Sequence, residues 1–268
     1  MSYRRSWQSA PQAAPAVSDV AARVAVDLKE VTKTYRTGVI EVPALRGVSL
    51  HIDSGEFVAT AGPSGSGKTT LLNIIGGLDR ADSGEVWVAE HNLQSLSLSE
   101  LALLRLNRIG FVFQTYNLLP VLSALENAEF TLLLQGVPAS RRRERVEKLF
   151  LEIGLHGLED RRPAELSGGQ QQRVAVARAM VTEPALILAD EPTANLDSAA
   201  AIALLDVMEH LNRTTGTTFI FSTHDPQVMG RAHRLIHLRD GQIVNDVTRE
   251  NGSRSKRLEL QSDVYGCD

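Results

Sequence analysis

The feature that most limits what this chain can fold into is the octapeptide GPSGSGKT at positions 62–69. It follows a short apolar run, EFVATA (56–61), and precedes a helical stretch, 68–75, that stops at Gly76-Gly77. Strand, glycine-rich loop and helix in that order build a phosphate cradle. Glycines let backbone N–H groups curl around phosphate oxygens where a Cβ would intrude. The helix N-terminus adds unpaired donors and about half a positive charge. Lys68 is set to reach the β- and γ-phosphates, and Thr69 to place its hydroxyl on Mg2+.

The surrounding pattern suits such a loop. Segments 24–31 and 47–52 partly alternate apolar with polar residues, as half-buried strands do. Short apolar runs at 85–89, 109–113, 185–189, 217–221, 235–238 and 242–244 also read as strands. Between about 115 and 182 the character becomes helical, with polar turns such as GVPAS. Strands alternating with helices predict an α/β fold with a mostly parallel core sheet. The middle block is then a helical subdomain inserted into that core.

Composition removes some alternatives. The 268 residues carry 28 basic and 32 acidic side chains, a formal charge of −4, which argues against a dedicated nucleic-acid binder. The charge-free run 109–125 is interrupted by Gln114, Tyr116, Asn117 and Pro120, so no span of about 20 apolar residues is present. A soluble chain, or a peripheral one held by a partner, is expected. Cys267 is the only cysteine, which excludes an intrachain disulfide and leaves a mobile thiol as the plain reading. Arg4-Arg5 lacks a following apolar region, so 1–23 reads as a disordered tail rather than an export signal. Residues 249–268 read as a polar C-terminal tail.

Two further motifs carry chemistry. LILADE (186–191) is an apolar strand ending in two carboxylates. Asp190 falls where α/β sheets place ligand groups and suits Mg2+; Glu191, one residue on, suits the attacking water. LSGGQ (166–170) puts Ser167 as an N-cap with two glycines before a helix, a second anion-binding helix end. One nucleotide needs one cradle, so the second requires a reason. A basic cluster at 141–145 fits either a solvated helix face or contact with anionic headgroups.

Phosphate loop, LSGGQ, LILADE and a lone histidine in STHD (222–225), in that order, resemble an ABC transporter ATPase cassette over about residues 24–248. Closer resemblance is to the lipoprotein-releasing and macrolide-exporter (LolD/MacB-like) branch. It rests on VTKTY (31–35), PALRGVSL (43–50), GPSGSGKTTLLNIIGGLD (62–79), IGFVFQTYNLLP (109–120), ELSGGQQQRVAVARAM (165–180) and LADEPTANLDS (188–198). The resemblance implies a P-loop NTPase core, an antiparallel β subdomain and the helical insertion.

It also implies ATP and Mg2+ as ligands and a head-to-tail homodimer, each ATP lying between one phosphate loop and the other copy's LSGGQ. Nucleotide contacts would come from Tyr35 (stacking on adenine), Gly62, Ser64, Gly65, Ser66, Gly67, Lys68, Thr69 and Thr70. Gln114 would join them, with Asp197 and, across the interface, Ser167, Gly168, Gly169 and Gln170. Thr69, Gln114 and Asp190 would serve the metal; Glu191, His224 and Lys68 would be catalytic. Ala194 departs from the glycine common in this branch and matters only if its φ is positive. The expected partner is a transmembrane permease on a separate chain, with peripheral attachment at the cytoplasmic face. The branch also includes a cell-division relative, so a non-transport switch is the alternative, and the substrate is unreadable here.

Overall fold

Two sheets share the strands of the computed structural model, which describes residues 24–38 and 40–249. The readings at 1–23, at 250–268 and at Cys267 fall outside those residues. The first sheet is antiparallel. It begins with a long hairpin, β1 (Val24–Thr37) and β2 (Ile40–Asp53), and is completed by two shorter strands further on. Next come β3 (Phe57–Ala61), α1 (Lys68–Ile75), β4 (Ser83–Val88), β5 (His91–Asn92), α2 (Leu98–Arg108) and β6 (Ile109–Phe113). Three helices follow before the next strand: α3 (Ala124–Leu134), α4 (Ala139–Glu152) and α5 (Gly168–Met180). The chain then runs through β7 (Leu186–Asp190), α6 (Ser198–Thr215), β8 (Thr218–Thr223), α7 (Pro226–Arg231), β9 (Arg234–Arg239) and β10 (Gln242–Thr248).

The antiparallel sheet has the order β2-β1-β4-β5 and the core sheet the order β10-β9-β3-β8-β7-β6. All core pairings are parallel except β9 with β10. This is the mostly parallel sheet with an antiparallel companion that the motifs implied. Every residue of β3 and β8 is buried, the mark of strands covered on both faces. Alternation then divides the core in two. Phe57, Ala59, Ile187, Ala189, Phe219 and Phe221 face the helices α3 to α6. Val58, Leu186, Leu188 and Ile220 face α1, α2 and the antiparallel sheet. The sheet is thus gripped from both sides, and its strand ends are fixed relative to one another.

Two readings needed revision. The β1–β2 hairpin is longer than 24–31 and 47–52, because register shifts at Leu28/Val31, Val31/Thr32 and Lys33/Thr34 break the alternation that marks a strand. Glu30 sits in one bulge with φ +49, held by its own N–H to Ser49 Oγ (3.0 Å) and by Ser49 Oγ to its carboxylate (2.9 Å). Helix α2 went unread, although Ser97 and Glu100 form a capping box at its start. In the basic cluster, Arg142 pairs with Glu129 at 3.3 Å and Arg143 with Glu147 at 2.8 Å, while Arg141 and Arg145 are exposed on α4.

Candidate active site

The fully buried β3 delivers the chain to Gly62, and α1 begins at Lys68. Only glycine fits at two corners of the loop between them. Gly62 has φ +154, and a Cβ there would run into the Leu238 carbonyl. Gly67 has φ +103, and its Cβ would lie 2.5 Å from the Ala44 oxygen. The Lys68 ammonium is buried and donates to the carbonyls of Gly62 (2.8 Å) and Pro63 (3.0 Å), which curls the loop around its own tip. An ammonium has three donors, so one remains for an anion. Ser66 lies beneath the loop with a buried Oγ that meets no partner.

Strand register brings the remaining groups to the same edge. Asp190 is paired with Phe113 on one side and Ser222 on the other. Gln114 and Glu191 therefore emerge side by side, with Thr223 and His224 next to them. The Thr69 hydroxyl donates to Asp190 Oδ1 at 3.4 Å, joining loop and carboxylate. Glu191 has φ +46 and donates its N–H to the Ser222 carbonyl at 2.8 Å. Its carboxylate meets His224 Nδ1 at 2.7 Å and accepts from Thr223 Oγ1 at 3.3 Å. A cleft of about 610 Å3 results, lined by Tyr35, Gly62, Ser64, Gly65, Gly67, Lys68, Thr69, Thr70, Gln114, Glu191 and His224. It lies at the carboxyl ends of the parallel strands, where α/β sheets bind ligands. Its volume is that of an ordinary small-molecule site.

Ser167, Gly168, Gly169, Gln170 and Asp197 do not line this cleft. Ser167 Oγ accepts the Gln170 N–H at 3.3 Å, and Gln170 Oε1 accepts the Ser167 N–H at 2.8 Å, a complete capping box on α5. Asp197 caps α6 by accepting the Ala200 N–H at 2.8 Å. A Cβ on Gly169 would lie 3.1 Å from Ala200 Cβ, so the starts of α5 and α6 abut. The chain therefore offers two separate surfaces: the cleft, and a glycine-rich face where both helices begin. Ala194 has no positive φ, so its departure from glycine creates no backbone strain.

Sequence reasoning missed Gln172. It is fully buried and donates to the carbonyls of Phe113 (3.0 Å) and Pro192 (2.8 Å), tying α5 to the residues flanking Gln114 and Glu191. A glutamine on the apolar face of α5, in line with Val176, was the available signal. Arg178 was missed too. Burial lowers its basicity, and its guanidinium donates to the carbonyls of Tyr116 (3.1 Å) and Asn117 (2.6 Å), just past Gln114.

A family model described as ABC transporter matches residues 45–194. A macrolide export ATP-binding/permease protein, MacB, of Syntrophobacter fumaroxidans is 49% identical over 220 residues, 81% of this chain and 31% of that protein. The chain thus spans about a third of the length of such relatives. The lipoprotein-releasing system ATP-binding protein LolD of Anaeromyxobacter dehalogenans is 46% identical over 222 residues, 82% of this chain and 93% of its own length. Among solved structures, the ATP-binding cassette MJ0796 of Methanocaldococcus jannaschii, a dimer in a post-hydrolysis state with ADP and Pi, matches with a TM-score of 0.77 and 43% identity. That match covers 83% of this chain and 98% of the other.

Proposed function

The chain belongs to the ABC transporter family of ATP-binding cassettes, and from that premise we propose that it hydrolyses ATP as one half of a dimer that drives a transmembrane permease. The observation that carries this is the division described above. One cleft gathers Lys68, Thr69, Gln114, Glu191 and His224, while Ser167 to Gln170 face elsewhere on the same chain. Two copies placed head to tail would bring each glycine-rich face over the other's cleft and give both helix ends a use.

The reaction is phosphoryl transfer to water, which needs positioning and charge neutralisation more than covalent chemistry. Lys68 and the loop amides hold phosphate, and Tyr35 receives the base. The hydroxyl of Thr69 and the carboxylate of Asp190, with Gln114 beside them, are hard oxygen donors suited to Mg2+. Held there, Mg2+ would supply neutralisation of the charge on the transferred phosphoryl group. Glu191 aligns the attacking water and takes its proton, and His224 holds that carboxylate and steadies the γ-phosphate. Ser167, Gly168 and Gly169 complete the site from the second copy, with Gln170 and Asp197 at its border.

Coupling to the partner has a route in the fold. An apolar groove of about 590 Å3, walled by Leu106, Phe111, Phe113 and Leu134, opens between α2, β6, α3 and α5. We assign it to the permease, because β6 leads straight into Gln114 and Arg178 ties the groove to the loop that follows. No helix among the described residues is long and apolar enough to cross a membrane, and attachment through the partner at the cytoplasmic face completes the reading. Glu191→Gln tests the chemistry. It should bind ATP, turn over about 100-fold more slowly or worse, and accumulate ATP-dependent dimers in light scattering. Turnover near that of the wild type would remove Glu191 from the catalytic role.

A further inference from the structure

Tyr35 is fastened to the segment that leaves the phosphate-binding helix. Its hydroxyl donates to Asp79 Oδ2 at 2.8 Å. Asp79 lies in the loop that leaves α1. Lys33, two positions before Tyr35 on β1, donates to the other Asp79 oxygen at 2.7 Å and to the Arg80 carbonyl at 2.8 Å. Its ammonium stands over the Tyr35 ring, 5.2 Å from the centroid. The neighbouring Thr34 N–H donates to Asp82 at 2.6 Å, so the loop grips β1 at consecutive residues.

This is more than a solvated surface pair. The Lys33 side chain is 12% exposed and that of Asp79 29%, where an ion pair escapes much of the screening that weakens exposed ones. Burial alone would raise the Asp79 carboxyl, but hydrogen bonds from Lys33, Tyr35 and the Arg80 N–H hold it below the usual range. Burial raises the Tyr35 phenol, and the Asp79 carboxylate beside it raises it further. An ionised acceptor and a protonated donor therefore coexist at neutral pH.

We propose that Lys33 and Asp79 are positioning residues for the nucleotide base. They hold the Tyr35 ring in one pose against the phosphate helix, with Lys33 over one face and the other left for a planar aromatic base. The proposal rests on reading Tyr35 as the stacking residue. A loose tyrosine would lose rotamer freedom on stacking, and a fastened one has already lost it, so the base binds more tightly. The anchoring of β1 on the segment just past α1 also fixes the spacing between base and phosphate sites, which lets both ends of one nucleotide engage together.

The test compares equilibrium binding of ATP and of inorganic tripolyphosphate, which has phosphates and no base, to the full-length chain by calorimetry. Asp79→Asn and Lys33→Met should weaken ATP about threefold to tenfold and leave tripolyphosphate unchanged. Tyr35→Phe keeps the ring and removes the hydroxyl link, so adding Asp79→Asn to it should cost less than Asp79→Asn costs in the wild type. If Tyr35→Ala weakens ATP while the Asp79 and Lys33 variants bind it normally, the positioning role is wrong and the stacking role stands. Equal weakening of ATP and tripolyphosphate would put the effect on the phosphate loop and overturn the proposal. Normal ATP binding by Tyr35→Ala would remove the stacking role, and this one with it.

Discussion

The N-termini of α1 and α5 look alike in sequence, each a serine and glycines before a helix, yet they are finished differently. Helix α1 starts on Gly67 in a left-handed conformation, without a side-chain cap and without an acid in its first turn. Helix α5 starts on Ser167 with both halves of a capping box in place. The same box closes α2, through Ser97 and Glu100, and α3, through Ser123 and Glu126. An uncapped end leaves its donors for a ligand within the chain, whereas a capped end has met part of its own need. What sets α5 apart from α2 and α3 is the charge of the cap. Gln170 stands where the others have glutamate, and Glu100 is held ionised by the hydrogen bonds from Ser97. A neutral cap closes the helix without cancelling the positive end of its dipole. Helix α5 thus has its end closed within the chain and is still attractive to an anion brought by another molecule.

That contrast can be broken in three places. Lys68→Ala attacks the α1 side and should give the largest effect: turnover falls about 100-fold or more and ATP binding is lost in calorimetry. Undiminished ATP affinity would undo the phosphate-loop assignment. Gln170→Glu attacks the distinctive feature of α5. The capping box survives, so thermal stability should hold, while ATP-dependent dimerisation in light scattering weakens about tenfold. A dimer as tight as the wild type would mean that cap charge is irrelevant there. The smallest effect separates capping from binding. Ser167→Ala and Ser123→Ala should each cost about 1 kcal/mol in denaturant unfolding, and only the Ser167 variant should impair dimerisation. Equal behaviour of the two in both assays would reduce Ser167 to an ordinary cap.

The motifs were legible because they are local. Residues 62–69, 166–170 and 186–191 each state a turn, a cap or a strand end within a few positions, and the structure carries those local shapes. The parallel core followed from short apolar strands such as TTFIF alternating with helical stretches. Other features depend on chain segments meeting. The Tyr35–Asp79 bond spans 44 positions and the Gln172–Phe113 bond 59, and no short-range pattern announces either. The hairpin was underestimated because its bulges interrupt the period of two. Helix α2 does carry a local signal, a serine and a glutamate at capping-box spacing, although its sequence has no long apolar run to mark it. The pairing of Glu191 with His224 depended on β7 lying beside β8, which neither motif encodes alone.

Strand β3 lies between β8 and β9, and this order has a consequence for synthesis. A ribosome makes residues 62–69 well before the strands on either side of β3, which begin at Thr218 and Arg234. At ordinary elongation rates the gap lasts on the order of ten seconds or more. During that time the motif is a glycine-rich stretch with no sheet to hold it, and non-local parallel pairing is slow even once the partners exist. The nascent chain therefore acquires its phosphate-binding sequence long before the setting that gives the sequence a shape, and the cleft cannot be assembled until β8 and β9 have been made.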